Sequence, residues 1–326
     1  MSEKWVVASC AATFGVFRHE PVEYLEDAGC EVRINPYGRP LRPQEIVDFA
    51  ADADVLVLGN DRLNASTMRR LKKLKLIVRH GAGIDGIDFR DALEAGIMVA
   101  NTPGANAEET ADLTFGLILD LERKITQSVN SLRSGVWEKA CGRSLFGKTI
   151  GIIGVGDIGM AVARRAMGFG MDIIGNDIVQ RNEAAAVGLL YTSLNDLISR
   201  ADIISIHAPL TSATKNLIGA KELRLMKKEA VLVNTARAGI VRSQALEKAL
   251  LAGQLAGYAT DVPDKEPPNP SALFELPNVL VTPHIGSATY EANYHMGMAV
   301  AHNIIAAKDG RRPPNLLTYA DQVRFS

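Results

Sequence analysis

From Trp5 to Ala100, short apolar runs alternate with polar stretches whose hydrophobic residues recur at helical spacing. The runs Trp5–Ser9, Glu31–Ile34, Val55–Leu58, Leu76–Arg79 and Ile97–Ala100 predict strands. Between them, Glu20–Ala28, Pro43–Ala51, Ser66–Leu71 and Phe89–Ala95 predict helices, with Ser66 and Asp88 as N-caps and Gly29 and Gly96 as helix ends. Strands that alternate with helices predict a mostly parallel sheet covered on both faces.

Asn101-Thr102-Pro103-Gly104 interrupts this series, and one long helix is predicted from about Ala107 to Ser134. A second series begins at Thr149, with strands expected at Thr149–Gly154, Asp172–Gly175, Asp202–Ile206, Ala230–Asn234, Ala256–Thr260 and Val279–Val281. Pro267-Pro268-Asn269-Pro270 reads as a loop, and a last helix is expected over about Ala288–Lys308. The fold class is therefore α/β with two domains.

Composition changes this picture little. The 326 residues are 47% hydrophobic and 22% charged, and the formal net charge is −1. That balance argues against nucleic acid or an anionic membrane as the main partner. No apolar run approaches a membrane span, and no secretory leader shape opens the chain. Cys10, Cys30 and Cys141 have neither CxxC spacing nor partners for a disulfide framework, which fits a reduced, cytoplasmic setting. No Cys/His/carboxylate spacing suggests a metal.

The chemistry is concentrated in the second series. Gly154-Val155-Gly156-Asp157-Ile158-Gly159 follows an apolar strand and opens a helix. Gly154 suits a tight turn, Gly156 a close backbone approach to a pyrophosphate, and Gly159 close helix–strand packing. Asp177, 23 residues beyond Gly154, stands where an acid would bind the ribose 2′-hydroxyl, which favours NAD over NADP. Arg181 dissents, because a cation there could pair with a 2′-phosphate. Three groups follow downstream. Arg237 comes after the strand ending at Asn234 and could grip a carboxylate with two parallel hydrogen bonds. His284 follows Val279–Val281 and is the natural proton carrier near neutral pH. Glu266 could bond the second ring nitrogen, raise the imidazole pKa and fix its orientation.

These motifs, together with Arg79-His80-Gly81-Ala82-Gly83-Ile84-Asp85, His207-Ala208-Pro209-Leu210-Thr211, Asn234-Thr235-Ala236-Arg237 and Pro283-His284-Ile285-Gly286, occur in an order that resembles the D-specific 2-hydroxyacid dehydrogenases. That family includes 3-phosphoglycerate dehydrogenase and glyoxylate/hydroxypyruvate reductase. The resemblance covers nearly the whole chain. It implies a Rossmann-type doubly wound nucleotide domain at 104–290, which is also the usual homodimer surface. A smaller, flavodoxin-like substrate domain would be formed by 1–103 with 291–326, and the active site would lie in the cleft. By the same resemblance, Arg237 binds the carboxylate of a small 2-keto acid, His284 gives or takes the proton, and Glu266 partners His284. Asp261 would lie near the nicotinamide. Thr110, His207, Ala208, Pro209, Thr235, Ala236 and Gly286 would join Asp157 and Ile158 around the coenzyme, and Arg79, His80, Gly81, Ala82 and Gly83 would bind substrate. Ala238, Arg242 and Pro263 depart from the residues common in the family.

Arg79 beside the substrate loop favours a phosphorylated acid, hence a phosphoglycerate dehydrogenase-like activity. Glyoxylate or hydroxypyruvate reduction is the alternative. A nicotinamide-sensing corepressor-like scaffold is a more distant one, because the chain has no clear peptide-recognition extension.

Overall fold

The computed structural model describes residues 4–268 and 271–318. It divides into two compact units, 1–106 with 288–326 and 107–287. The boundaries expected from sequence are 103/104 and 290/291. The units part instead where the helix beginning at Ala107 starts and just before Thr289, whose side chain caps the last helix by accepting from Ala292 N–H.

In the first unit the strands are β1 (Val6–Ser9), β2 (Glu31–Ile34), β3 (Val55–Leu58), β4 (Leu76–Arg79) and β5 (Met98–Ala100). Its helices are α1 (Glu20–Asp27), α2 (Pro43–Ala50), α3 (Ala65–Met68) and α4 (Phe89–Glu94). All strands are parallel, in the order β2-β1-β3-β4-β5, which is the flavodoxin-like arrangement. Successive strand residues serve opposite faces. Ala8, Leu56, Leu58 and Ile77 pack with Ile46, Met68 and Phe89, whereas Val7, Val55, Val57 and Val78 pack with Val22, Leu25, Val300 and Ile304. The last two come from the C-terminal helix, so the end of the chain completes the core that its beginning opens.

In the second unit the long helix expected over 107–134 is two helices, α5 (Ala107–Arg123) and α6 (Ile125–Arg133). Lys124 adopts a left-handed conformation at φ 53° between them. Asp120 makes the break possible, because its carboxylate accepts from Thr126 N–H and from the Thr126 hydroxyl. Periodicity continues across the junction, but the capping bonds turn the chain. The strands are β6 (Thr149–Ile153), β7 (Asp172–Asn176), β8 (Leu189–Tyr191), β9 (Ile203–Ile206), β10 (Val231–Asn234), β11 (Gly257–Thr260) and β12 (Val279–Val281). The helices are α7 (Asp157–Gly168), α8 (Leu194–Arg200), α9 (Ala220–Leu225) and α10 (Ser243–Leu251), and α11 (Tyr290–Lys308) belongs to the first unit. The order β12-β11-β10-β9-β6-β7-β8 is parallel throughout and reverses direction between β6 and β9, the arrangement of a Rossmann-type sheet. Ile150, Ile152, Ile203 and Val231 meet α5 and α7 on one face, and Ile153, Ile204, Ile206 and Leu232 meet α8 to α10 on the other.

One smaller expectation changes, and another is only partly described. Asn64, not Ser66, caps α3, since its side chain accepts from Thr67 N–H at 2.9 Å. The expected loop at 267–270 lies partly outside the described residues.

Candidate functional site: the strand ends of the second unit

Gly154 follows β6 directly at the reversal point of the sheet, with φ +89°. A Cβ on Gly154 would stand 2.4 Å from the Ala208 nitrogen, and one on Gly159 would stand 2.1 Å from the Gly154 carbonyl oxygen. Only glycine lets this turn, the start of α7 and the His207-Ala208 segment after β9 approach so closely. Gly156 differs, because a Cβ there meets nothing within 4 Å. Its backbone borders open space at the first turn of α7, where main-chain donors and the helix dipole favour an anion. These residues fit a pyrophosphate. Asp177, just past β7, braces the turn, with Oδ2 accepting from Val155 N–H at 2.6 Å. Ile158 packs against the core beneath the helix.

The neighbouring strand ends carry the polar groups. His207 follows β9, with Nε2 2.7 Å from the Ser205 hydroxyl and Nδ1 3.5 Å from that of Thr235. Burial pushes its pKa down to about 3, so this imidazole is neutral. Thr235 is also 3.0 Å from Thr114, whose hydroxyl donates to the Thr110 carbonyl. Thr110 is buried and donates to the Gly286 carbonyl at 3.3 Å. Ala208 is buried, and the exposed Pro209 accepts from the Thr214 hydroxyl.

Arg237 follows β10. The fully buried Asn234 shapes its turn by accepting from Ala236 N–H at 3.0 Å and donating to the Arg237 carbonyl at 2.9 Å. The guanidinium is half-buried and donates to the Ala236 carbonyl at 2.7 Å. Asp261 follows β11 and His284 follows β12. Because β11 pairs with both β10 and β12, these ends are consecutive along one sheet edge.

His284 Nδ1 lies 2.6 Å from Glu266 Oε1. The His284 backbone is left-handed at φ 55°, which is costly for a residue with a side chain. Asp261 holds that turn from both sides. Oδ1 accepts from the Thr282 hydroxyl at 2.6 Å and from Ile285 N–H at 2.7 Å, and Oδ2 accepts from Gly286 N–H at 2.7 Å. The family resemblance marks Asp261 for the coenzyme. Its observed bonds make it the anchor of the His284 turn, a role that spacing alone does not suggest. Asn234 likewise enters the sequence reading only as part of a motif, although an apolar strand ending in Asn before a small-residue turn is a signal for such a staple.

The loop Arg79–Gly83 belongs to the first unit. Arg79 Nη1 donates to the carbonyls of Leu58 at 3.3 Å and His80 at 2.5 Å, and Nη2 donates to Asn60 Oδ1 at 2.9 Å. Its guanidinium braces the loop backbone. Gly81 N–H donates to the Thr102 hydroxyl at 2.8 Å, and the Ala82 carbonyl accepts from Asn101 at 2.7 Å. His80 is buried, and burial together with the Arg79 charge pushes its pKa down to about 3. Among the described residues no cluster of His, Cys, Asp and Glu could hold a metal ion, and no helix is long and apolar enough to cross a membrane.

Three comparisons bear on this arrangement. The sequence profile of the D-isomer specific 2-hydroxyacid dehydrogenase, NAD binding domain, matches residues 115–286. The chain is 42% identical over 283 residues to a glyoxylate reductase of Thermococcus litoralis, covering 83% of this chain and 86% of that one. It is 39% identical to a D-3-phosphoglycerate dehydrogenase of Methanocaldococcus jannaschii, covering 91% of this chain but only 57% of the longer relative. The crystal structure of the TT0316 protein from Thermus thermophilus superposes with a TM-score of 0.88 at 36% identity, covering 96% of this chain and 100% of that one.

Proposed function

The chain belongs to the D-isomer specific 2-hydroxyacid dehydrogenases, NAD-dependent oxidoreductases acting on the CH–OH group of 2-hydroxy acids, and from that premise we propose that it reduces a small unphosphorylated 2-keto acid, glyoxylate or hydroxypyruvate. The observation that carries this choice is Arg79. The sequence offers it as a phosphate ligand, but its guanidinium is engaged with two main-chain carbonyls and Asn60. A cation spent on bracing a loop does not recommend a phosphorylated substrate. The 42%-identical relative named as a glyoxylate reductase supports the same choice.

In this reading Arg237 grips the substrate carboxylate through its planar fork and polarises the keto group. When bound, the nicotinamide supplies the hydride. His284, held at Nδ1 by Glu266, gives the proton to the carbonyl oxygen from Nε2 and takes it back in the oxidative direction. Glu266 fixes the orientation of the ring. Asp261 keeps the ring in place, and Arg237 with the imidazolium offsets the alkoxide charge as it develops. Gly81–Gly83 is assigned to the substrate by the family resemblance, and its backbone is fixed through Gly81 N–H and the Ala82 carbonyl.

The deciding experiment follows NADH oxidation by absorbance with glyoxylate, hydroxypyruvate and 3-phosphohydroxypyruvate at equal concentration. Preference for either unphosphorylated acid is expected, and a large preference for the phosphorylated one sinks the reading. The proton donor is tested separately. His284→Ala should lose roughly 10²–10⁴ in turnover, the usual worth of a positioned proton donor. Its affinity for NADH, measured by calorimetry, should stay near the wild-type value.

We also propose a homodimer formed through α6. Ile125, Val129 and Leu132 are exposed at one helical face, none of the helix is buried, and Val136 and Trp137 extend the patch. The family's usual dimer surface is this domain, which makes a second copy the occupant.

A further inference from the structure

Two side chains of the loop after β7 are tied back to the phosphate turn. Asp177 accepts from Val155 N–H at 2.6 Å and from Val179 N–H at 3.0 Å. Arg181 donates from Nη2 to Asp157 Oδ1 at 2.9 Å, and its own main-chain N–H donates to the Tyr191 hydroxyl at 3.0 Å. A second carboxylate, that of Glu183, stands 3.8 Å from Arg181 Nη1.

Asp157 is the first residue of α7, whose leading amides suit the phosphates. An uncompensated carboxylate there would repel them. The Arg181 cation cancels that charge locally. The same cation lies four residues beyond the acid at the ribose position, and a guanidinium there is well suited to a 2′-phosphate. The two uses compete, because one side chain cannot pair with Asp157 and also turn to a 2′-phosphate.

We infer that Asp157 is a coenzyme-specificity residue: it holds Arg181 on the phosphate turn and so withholds it from a 2′-phosphate. Asp177 repels that phosphate directly. Discrimination against NADPH thus has two separable parts, and one can be removed with Asp177 intact. Both partners reach solvent, Arg181 at 34% and Asp157 at 48%, so the effect has the size of a surface ion pair: several-fold rather than thousand-fold.

The test uses calorimetry on the full chain with adenosine 2′,5′-bisphosphate and adenosine 5′-monophosphate as probes. Asp157→Asn should tighten the bisphosphate relative to the monophosphate by about three- to fivefold. The double variant Asp157→Asn with Arg181→Met should lose that gain. Asp157→Ser removes the same charge and should behave as Asp157→Asn does. In parallel, the ratio of kcat/KM for NADH over NADPH should fall in the single variants. The binding arm requires no turnover, so it stands apart from the choice of keto acid. An unchanged affinity ratio in both single variants, or a gain that survives loss of Arg181, overturns the inference.

Discussion

At the scale of single residues, Asp261 holds the His284 turn through three hydrogen bonds shared between its two carboxylate oxygens. Asparagine would keep one acceptor oxygen and present an amide to donors on the other side. Asp261→Asn should therefore lose about 1–3 kcal/mol of stability and much of its turnover. Denaturant midpoints with steady-state rates would show this, and a wild-type midpoint would remove the anchor role. Two imidazoles bear on pH. His80 and His207 are held down to about 3, mainly by burial, against an ordinary value near 6.5. Below about 6.5 the unfolded chain takes up protons that the folded chain refuses. Their contribution is complete above that value and is lost as pH falls toward about 3. Urea midpoints should drop from pH 7.5 to 5, and His207→Gln should flatten the drop. Spacing singles out Arg237, Glu266 and His284 as candidates because their types are chemically demanding, and folding brings His284 and Glu266 into hydrogen-bond contact. It misses Asp261 as an anchor because only folding brings β11 beside β12.

At the scale of elements, the turn from β6 into α7 is the least tolerant stretch. A Cβ at Gly159 would have to displace the Gly154 carbonyl, which lies only 2.1 Å away. Gly159→Ala should lower NADH affinity by at least about tenfold and cost roughly 1–3 kcal/mol of stability. Calorimetry with NADH and thermal unfolding would read both. Most strands are legible because a run such as Val55–Leu58 is apolar throughout, Ile203–Ile206 is apolar but for Ser205, and both are buried on both faces. β8 is not, since Leu189–Tyr191 is short and Leu190 is exposed. The break at Lys124 is hidden for a different reason. Hydrophobic spacing reports which face is buried and says nothing of a carboxylate that turns the backbone.

At the scale of the whole molecule, the α6 patch predicts assembly. Leu132→Glu should place a charge on the exposed apolar face and yield a monomer in size-exclusion chromatography with light scattering, where the wild type should elute as a dimer. A wild-type monomer would end that proposal. The sheet itself has a further consequence. The segments meant for the adenosine and phosphates follow β6 and β7, whereas those meant for the reacting acid follow β10, β11 and β12. Along the chain Asp157, Asp177 and Arg181 precede the end of β8 at Tyr191, whereas Arg237, Glu266 and His284 follow the start of β9 at Ile203. β7 and β12 lie five strand spacings apart, roughly 24 Å, and substitutions at that range act independently. A single genetic crossover within residues 192–202 would therefore keep those three coenzyme discriminators together while exchanging the strand ends meant for the reacting acid. Chimeras of two relatives joined there should inherit their preference between NADH and NADPH from the N-terminal parent.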